Sequence, residues 1–510
     1  MTEVVAAPEE RAGQEVNRIS HWIGGKTVPG ESGRSGPVYN PATGDQQAEV
    51  DFAAAAEVDR AVVVAKEAFS SWRAVSLSRR AELFFSIREL VHEHREDIAR
   101  LLTSEHGKVL SDAMGEVARG LEVIEYACGI PTLVKGGYSE QASTGIDVYS
   151  IRQPLGVVAG ITPFNFPAMV PMWMWAPAIA CGNAFILKPS EKDPSASVYT
   201  AELLKEGGLP DGVFNVVNGD KVAVDRILEH PDIAAVSFVG STPIARYVYE
   251  TGTKAGKRVQ ALGGAKNHMV VLPDADLDMA ADAAVSAAYG SAGERCMAVS
   301  VVVAVGDVGD DLVRAIQERI PKIKVGDGFD PSSEMGPLIT RAHRDKVASY
   351  LESGRAQGAT VVVDGRETAP EGDGFFLGVS LLDDVTPEMD CYRDEIFGPV
   401  LSVVRAKTYG EAVQLANESP WGNGVAIFTR DGGVARQFQF DVQAGMVGVN
   451  VPIPVPVAYY SFGGWKSSLF GDLHAYGPES VNFYTRGKVV TSRWPDPATS
   501  KVDLGFPQTR

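Results

Sequence analysis

The chain has 510 residues, of which 45% are hydrophobic and 22% are charged, and its formal net charge is −18. This composition is typical of a globular protein, excludes a disordered or fibrous chain, and leaves room for two to four domains. The acidic balance, without a long run of Lys or Arg, predicts that neither nucleic acid nor an anionic membrane is a partner. Four cysteines are too few for a disulfide framework, so we expect a reducing compartment, the cytoplasm.

Two segments bear on targeting and membrane insertion. The first twenty residues contain Glu3, Glu9 and Glu10 and no continuous apolar run, so we expect a partly ordered leader without a targeting signal. Residues 153–187 contain no Asp, Glu, Lys, Arg or His, but five prolines interrupt them, and proline disrupts a helix interior. We therefore expect this segment to form a buried strand, loop and helix rather than a membrane span.

Apolar spacing predicts that the first third of the chain is helical. Apolar residues recur there at the i, i+3, i+4, i+7 spacing of one helix face. The predicted helices cover residues 58–72, 83–101 and 117–128.

From residue 155 onward, short apolar runs alternate with amphipathic stretches, which indicates βαβ units and mostly parallel sheets. The first series of predicted strands covers 155–161, 184–188, 213–217, 234–240 and 269–272. The second covers 299–305, 360–363, 400–404, 425–428 and 446–451. The sequence therefore predicts two doubly wound α/β domains joined near residue 270. We expect the tail after Pro495 to be an exposed arm.

The four cysteines differ in their fitness as a nucleophile. Cys128 lies on the apolar stripe of a predicted helix and Cys181 in the charge-free segment, so we expect both in the core. Cys391 has acidic neighbours, which should raise the pKa of its thiol. Cys296 follows Arg295, and an adjacent positive charge favours the thiolate. Cys296 is therefore the candidate nucleophile.

Asn165 follows a predicted strand in the motif TPFNFP. Pro163 and Pro167 stiffen this loop, so the side-chain amide could be a preorganised hydrogen-bond donor to an oxyanion. An asparagine that caps its own turn is the structural alternative. The residues alone leave both interpretations open.

Two motifs at strand ends suit a nucleotide. LKPSE (187–191) stands at the carboxyl end of a predicted strand, where doubly wound sheets bind ligands. FVGST (238–242) leads from a strand into a helix, and Gly240 and Ser241 leave room for a pyrophosphate at the helix N-terminus. The second motif is weak alone, because Gly-Ser also caps many helices.

The motifs TPFNFP, LKPSE, FVGST, LGG, GERC and EIFGPV occur in this order, and together they resemble the NAD(P)-dependent aldehyde dehydrogenase superfamily over essentially the whole chain. The resemblance implies an aldehyde dehydrogenase-like fold with two doubly wound domains and a small β-arm that pairs in a homotetramer. It divides the chain into an N-terminal part of the NAD-binding domain, a first arm segment, the NAD-binding core, the catalytic domain, and a return segment with a second arm and tail. The respective boundaries are 1–137, 138–154, 155–268, 269–450 and 451–510.

The resemblance also implies residue roles. Cys296 matches the catalytic nucleophile, which attacks an aldehyde, and Asn165 matches the amide that stabilises the resulting oxyanion together with the Cys296 N–H. Hydride then passes to NAD and leaves a thioester on the cysteine. No metal is implied. The implied cofactor-binding residues are Thr162, Phe164, Lys188, Glu191, Lys192, Gly240, Ser241, Gly263, Glu395 and Phe397.

The acid Glu191 favours NAD over NADP. A carboxylate near the adenosine ribose accepts hydrogen bonds from its hydroxyls and would repel the 2′-phosphate of NADP. Lys188 and Lys192 act against this preference. We expect NAD.

One departure from the superfamily pattern indicates the subtype. Hydrolytic members carry a glutamate in E-L-G-G-K, and this glutamate activates water. Here the stretch is QALGGAKNH (260–268), and the glutamate position falls on Ala261 or Leu262. A general base typically contributes about 10²–10⁴-fold, so hydrolysis should be slow without one. Coenzyme A, a thiol, is the expected acyl acceptor and co-substrate.

Longer stretches resemble a narrower family. RVQALGGAKNHMVVLPDAD, SAGERCMA and SFGGWKSSLFGDLHAYG resemble the CoA-acylating methylmalonate-semialdehyde (malonate-semialdehyde) dehydrogenase family. The resemblance implies oxidation and decarboxylation of the semialdehyde to propionyl-CoA or acetyl-CoA. A hydrolysing aldehyde dehydrogenase with a base from elsewhere, and a non-catalytic protein on the same fold, remain the alternatives.

A semialdehyde carries a carboxylate, which arginine binds well. Arg295 is one candidate, and its other possible role is to tune the pKa of Cys296. Arg119 is the second, in the family-like context GEVARG. Periodicity alone would make Arg119 a solvated residue near Glu116 and Glu122. We expect both arginines to bind the substrate.

Overall fold

The computed structural model describes residues 17–498, 501–502 and 504–505. Most of the predicted leader therefore lies outside the described residues. The described residues after Pro495 are exposed, as predicted for the tail. The model is a mixed α/β structure with two large, mostly parallel sheets, which confirms the predicted fold class.

The described residues before the first helix form short strands, so the prediction of a purely helical first third is wrong. These strands are Asn17–Ile19, His21–Ile23, Lys26–Val28, Ser35–Tyr39 and Gln46–Asp51. They are three to six residues long, too short for an alternating apolar pattern to stand out. Two of them, His21–Ile23 and Lys26–Val28, extend one edge of the first large sheet.

The helical region that follows contains a break that was not predicted. The single helix expected over 83–101 is two helices, Leu77–Glu93 and Arg95–His106, which separate at His94 (φ −92°, ψ 16°). Glu96 and Asp97 in the first turn of the second helix suit a new helix N-terminus, a signal that the continuous apolar spacing hides. The remaining helices of this region are Ala55–Trp72, Leu110–Cys128 and Ile130–Leu133.

Eight described strands form the first large sheet, whose five central strands are parallel. In spatial order they are Leu469–Phe470, Arg258–Leu262, Ile233–Val239, Val157–Ile161, Ala184–Lys188, Phe214–Val216, His21–Ile23 and Lys26–Val28. The helices of this domain are Met169–Ala180, Ser195–Glu206, Lys221–Glu229 and Thr242–Lys254. The charge-free segment is a buried strand, loop, helix and strand, as predicted. The strand Arg258–Leu262 was not predicted.

The second large sheet has seven described strands, parallel except for the first pair. In spatial order they are Thr360–Val363, Ser380–Asp383, Val400–Ala406, Val299–Val305, Asn267–Val271, Gly424–Phe428 and Met446–Val449. The associated helices are Leu277–Tyr289, Gly309–Arg319, Arg341–Gln357, Asp390–Arg393, Tyr409–Glu418 and Gly432–Asp441, with 3₁₀ turns at Gly290–Gly293 and Ile320–Lys322. The strand predicted at 269–272 belongs to this sheet rather than to the first series, and Ser380–Asp383 was not predicted.

One of the smaller sheets is antiparallel and has Ile146–Pro154 between Tyr138–Ser143 and Thr485–Arg493. Tyr138 and Val489 expose large apolar side chains on it. The last elements of the chain run back between the domains: Trp465–Lys466 pairs with Trp421–Gly422, and helix Gly477–Tyr484 precedes the antiparallel sheet. Among the described helices, none has the length and apolarity required to cross a membrane.

Candidate active site

Cys296 lies in a loop between the turn Gly290–Gly293 and the strand Val299–Val305. The turn is tight, because Ser291 and Ala292 have left-handed φ values of 53° and 52°. Gly293 follows with φ 73°, and a Cβ atom there would overlap the main-chain oxygen of Gly398. The position therefore requires glycine, and it fixes the path of the chain into the cysteine.

The four cysteines, all within the described residues, carry free thiols, and only Cys296 is partly accessible. Cys128, Cys181 and Cys391 are buried, as the core assignments of the first two predict. The main-chain carbonyl of Cys296 accepts hydrogen bonds from the Asn267 side-chain amide (2.9 Å) and from the Asn423 amide (3.2 Å). The backbone that carries this thiol is therefore held in place from the second sheet.

Arg295 acts on the Cys296 thiol in the expected direction, but other effects outweigh it in the ligand-free chain. Burial raises the pKa of the Cys296 thiol to about 12, the carboxylate of Glu395 raises it further, and Arg295 has the smallest of the named effects. The reason is geometric, because the Arg295 guanidinium donates to Asp112 at 2.6 Å and its charge is largely compensated there. The free thiol therefore needs a proton acceptor before it can attack.

Asn165 is buried, and its side-chain amide donates to the main-chain oxygen of Glu294, 2.8 Å away. This bond crosses between the two domains and does not close the turn of Asn165 itself, so the turn-capping alternative does not describe its contact. An amide nitrogen carries two hydrogens, which leaves one for a further acceptor. The main-chain oxygen of Asn165 accepts from Lys108 Nζ at 2.6 Å.

Lys108 and Glu116 form a buried ion pair behind Asn165 that the sequence analysis missed. Lys108 Nζ lies 2.6 Å from Glu116 Oε2. The other oxygen of Glu116 accepts from the N–H groups of Ala168 (2.8 Å) and Met169 (3.0 Å) at the start of a helix. The side chain of Glu116 therefore lies in the core and does not pair with Arg119. The sequence-based prediction that Glu116 lies near a solvated Arg119 is wrong. The eight-residue separation of this pair gives no helical spacing signal.

Glu294, two residues before the nucleophile, was also missed. It is fully buried, and burial holds the pKa of its carboxyl well above the ordinary value. Its carboxyl oxygens lie 3.7 Å from His106 Nε2 and 3.6 Å from His343 Nε2. Burial lowers the pKa of both histidines, which favours their neutral forms beside Glu294.

The residues expected to bind the adenosine part of the cofactor lie together at the end of the strand Ala184–Lys188. Lys188 Nζ is 3.3 Å from Glu191 Oε2. Burial acts to raise the pKa of Glu191, but Lys188 and Lys192 outweigh it and hold the pKa below its ordinary value. Glu191 is therefore ionised at neutral pH. Lys192 Nζ lies 5.1 Å from the centre of the Phe164 ring.

Two hydroxyls on this side of the site are available to a ligand. Thr162 Oγ1 is buried and has no hydrogen-bond partner among the described residues. Ser241 is the N-cap of the helix Thr242–Lys254, yet its side chain makes no capping hydrogen bond within the described chain. The buried Thr162 hydroxyl is costly to leave unpartnered unless a ligand or water satisfies it, whereas Ser241 is exposed and open to a ligand. Packing explains the two glycines of this side. A Cβ atom on Gly240 would overlap the Phe238 ring, and one on Gly263 would overlap the main-chain oxygen of Ser467.

Glu395 and Phe397 line the same narrow pocket as Cys296 and Arg295. Glu395 Oε1 accepts from the N–H of Ala265 at 2.8 Å, and burial raises the pKa of this carboxyl to about 7. Phe397 has a left-handed φ of 57° and packs edge-on against Phe164, with ring centres 5.8 Å apart. These contacts connect the adenosine side of the site to the thiol.

The strand Arg258–Leu262 distinguishes the two possible positions of the missing base. Leu262 packs in the apolar cluster that Cys296 borders, together with Met297. Ala261 packs with Val236 in a cluster on the opposite face of the sheet. Side chains alternate along a strand, so only Leu262 faces the thiol side. This position is apolar.

The two arginines expected to bind a carboxylate are both paired with acids. Arg119 donates to Glu122 at 2.7 and 2.9 Å and to the main-chain oxygen of Pro456 at 2.7 Å. Pro456 also accepts from the hydroxyl of Tyr476 at 2.9 Å. Arg295 borders the pocket of Cys296, whereas Arg119 does not. Among the described residues no cluster of three His, Cys, Asp or Glu side chains could hold a metal ion.

Comparison with known proteins adds three findings. Residues 27–490 match the model of the aldehyde dehydrogenase family. The chain is 55% identical over 493 residues to malonate-semialdehyde dehydrogenase of Pseudomonas aeruginosa, covering 96% of this chain and 99% of that protein. It superposes on methylmalonate-semialdehyde dehydrogenase of Oceanimonas doudoroffii with a TM-score of 0.94 and 55% identity, covering 95% of this chain and 99% of that one.

A further crystal structure, of a Sinorhizobium meliloti protein complexed with NAD, matches with a TM-score of 0.94 and 55% identity. The match covers 96% of this chain and all of that one.

Proposed function

The chain belongs to the aldehyde dehydrogenase family, and we propose that it oxidises malonate semialdehyde or methylmalonate semialdehyde with NAD, releases CO₂ and transfers the acyl group to coenzyme A. The observation that carries this proposal is the apolar Leu262 on the thiol side of its strand, where hydrolysing members of the family carry a base. The relatives named above, similar over nearly the whole chain, support the substrate class.

The side chains at the adenosine end suit NAD. Ionised Glu191 would accept hydrogen bonds from the ribose hydroxyls and repel the phosphate of NADP, while Thr162 Oγ1 and the uncapped Ser241 offer donors to the pyrophosphate. Glu395 and Phe397 border the thiol and would hold the nicotinamide ribose. When bound, NAD would accept the hydride from the substrate. The similar Sinorhizobium meliloti structure, which contains NAD, supports this choice.

The thiol must lose its proton as it attacks the aldehyde carbon, because its pKa is about 12. Glu395 lines the same pocket, and a carboxyl pKa of about 7 equips it to accept that proton. The free hydrogen of the Asn165 amide and the main-chain N–H of Cys296 would stabilise the oxyanion. Loss of hydride then leaves an acyl thioester on Cys296.

Decarboxylation needs the same donors. The substrate carboxylate is β to the thioester carbonyl, so loss of CO₂ leaves an enolate whose charge develops on the carbonyl oxygen. Arg295, which borders the thiol pocket, and Arg119, once it turns from Glu122 and Pro456, would hold the carboxylate before it leaves. Protonation of the enolate gives a propionyl or acetyl thioester, which then awaits coenzyme A.

Three observations support the proposed assembly, compartment and partners. The antiparallel sheet exposes Tyr138 (65%) and Val489 (69%), and this exposed apolar surface supports subunit contact through the sheet, as in the proposed homotetramer. Free thiols at all four cysteines suit the cytoplasm. The net charge of −18 argues against nucleic acid and anionic membranes as partners.

The test is turnover of a panel of aldehydes with NAD and coenzyme A, with products identified by mass spectrometry. We expect methylmalonate semialdehyde to give propionyl-CoA, malonate semialdehyde to give acetyl-CoA, and NADP to replace NAD poorly. Free acids as the main products in the presence of coenzyme A would contradict the proposal.

A further inference from the structure

A cavity of about 490 Å³ lies on the other side of Arg295 from the thiol pocket. Its walls come from the start of the helix Leu110–Cys128, from the helix Leu277–Tyr289 and from the segment 319–323. The volume lies within the roughly 300–1,000 Å³ that is usual for small-molecule sites. Cys296 does not border this cavity, but Arg295 borders both this cavity and the thiol pocket. The Arg295 side chain is therefore the partition between the two.

This partition lies against a glycine. A Cβ atom on Gly290 would overlap the Arg295 guanidinium, so the guanidinium occupies the space that any other residue would fill. Asp112 holds it there through one carboxylate oxygen. A single side chain held by one ion pair can swing aside, and its movement would join the cavity to the thiol.

Two buried polar atoms in the cavity wall are unsatisfied. Asp112 Oδ2 and Ser291 Oγ have no hydrogen-bond partner in the described part of the chain. Both atoms are covered, so a ligand N–H or carbonyl reaches them only when Asp112 and Ser291 turn toward the cavity, and the cost of an unpaired buried atom, about 1–3 kcal/mol, favours that movement. Val109, Val285 and Met335 give the cavity apolar walls between these atoms. An elongated ligand with amides and methyl groups matches this lining.

Within the described chain, two charged side chains of the cavity lining have no ion-pair partner, the acid Glu334 and the base Lys322. Asp282 is paired with Arg319 at 2.5 Å, and Glu334 accepts the main-chain N–H of Lys324 at 3.1 Å. Lys322 is exposed and has no ion-pair partner among the described residues. An anionic group on a ligand that leaves the cavity at this rim would meet Lys322.

We propose that this cavity binds the pantetheine arm of coenzyme A, with an amide at Asp112 and Ser291 and the phosphates at Lys322. The inference rests on the proposed function. Once CO₂ has left, Arg295 no longer holds a substrate carboxylate and can move, and the coenzyme A thiol reaches the thioester. The coenzyme sulfur forms a bond to the acyl carbon, the bond from that carbon to the Cys296 sulfur breaks, and the thiol proton of coenzyme A passes to the departing Cys296 thiolate.

The phosphate contact is tested by binding in the absence of chemistry. Calorimetry on the Cys296→Ala enzyme measures Kd for coenzyme A and for pantetheine, which lacks the phosphates. Lys322→Glu should raise the Kd of coenzyme A about tenfold and leave the Kd of pantetheine unchanged, because only one charged contact is reversed at an exposed site. Lys322→Arg should restore the affinity. Lys324→Glu, the same charge change two residues away and outside the cavity, should alter neither.

Binding of the pantetheine part of coenzyme A is tested by a substitution that fills the cavity. Ser286 is exposed and lines the cavity, so Ser286→Trp should weaken coenzyme A and pantetheine alike at least tenfold. Met279→Trp, on the same helix but outside the lining, is the control. Unchanged Kd values in both Lys322→Glu and Ser286→Trp would overturn the proposed site. Failure of the proposed function itself is distinguishable, because the wild-type enzyme would then give no acyl-CoA.

Discussion

The side-chain amide of Asn165 donates a hydrogen bond to the main-chain oxygen of Glu294, 2.8 Å away and two residues before the nucleophile. Asn165 follows a strand of the first sheet, and Glu294 precedes a strand of the second. This bond therefore sets the position of the oxyanion donor relative to the thiol across the two domains. The buried pair of Lys108 and Glu116 supports Asn165 from behind.

Replacement of Asn165 tests its proposed role as the oxyanion donor. Asn165→Ala should lower kcat for NADH formation about 10²–10³-fold, the usual cost of removing one such donor. Asn165→Asp keeps the size of the side chain without the donor, and its kcat should fall by a similar factor. NAD affinity and Tm report the fold. An unchanged kcat in a correctly folded variant would make Asn165 a purely structural link between the domains.

Replacement of the arginines tests recognition of the substrate carboxylate. Arg119→Ala and Arg295→Ala should each lower kcat/KM for a semialdehyde roughly 10- to 150-fold relative to propanal, which carries no carboxylate. Arg79→Ala is the matched control, since Arg79 pairs with Glu82 at the same i, i+3 spacing as Arg119 with Glu122 but on an exposed face. Equal losses on both substrates would assign the arginines to the thiol or to the fold.

Introducing a carboxylate at Leu262 tests the account of the missing base. Leu262→Glu should raise turnover in the absence of coenzyme A at least about tenfold, since a positioned base activates water. Leu262→Gln matches it in size and polarity without the base and should not. The comparison uses steady-state NADH formation with propanal. If both variants behave like the wild type, the side chain at 262 does not control the fate of the acyl group.

Glu105 should make the stability of the fold depend on pH. It accepts hydrogen bonds from Ser195, at the start of the helix after the Glu191 loop, and burial raises the pKa of its carboxyl to about 7 from 4.5. Between these values the unfolded chain ionises first, so the free energy of unfolding falls as pH rises, by about 3 kcal/mol in total. Above pH 7 this loss is complete.

Glu105→Gln removes that loss. Its Tm relative to the wild type should therefore rise as pH increases from 5 to 8. Glu96→Gln, on the exposed face of the same helix, should show no such trend. A pH-independent difference for Glu105→Gln would mean that the carboxyl is ionised throughout this range.

The parallel strands were well predicted because buried strands such as Ala184–Lys188 and Val299–Val305 are apolar at all but one position. Strands that contain polar residues escaped prediction: Arg258–Leu262 carries Arg258 and Gln260, and Ser380–Asp383 has only two apolar residues between its polar ends. The break at His94 escaped because the apolar stripe continues across it. These elements depend on tertiary pairing that local pattern does not report.

Some residues of the candidate site could likewise be predicted from the sequence and others could not. Cys296 and Asn165 are recognisable because their motifs carry the chemistry in a few consecutive residues. Lys108 and Glu294 are not, because their roles arise from burial beside residues distant in the chain. The small size of the Arg295 effect on the thiol escaped prediction for the same reason, since its partner Asp112 is 183 residues away in sequence.

The central claim is that the acyl group waits on Cys296 for coenzyme A, and pre-steady-state NADH formation tests it most directly. With methylmalonate semialdehyde and NAD but no coenzyme A, we expect a burst of one NADH per active site and then near arrest. Addition of coenzyme A should give sustained turnover to propionyl-CoA, and Cys296→Ala should give no burst. Rapid multiple turnover to free propionate without coenzyme A would contradict the account.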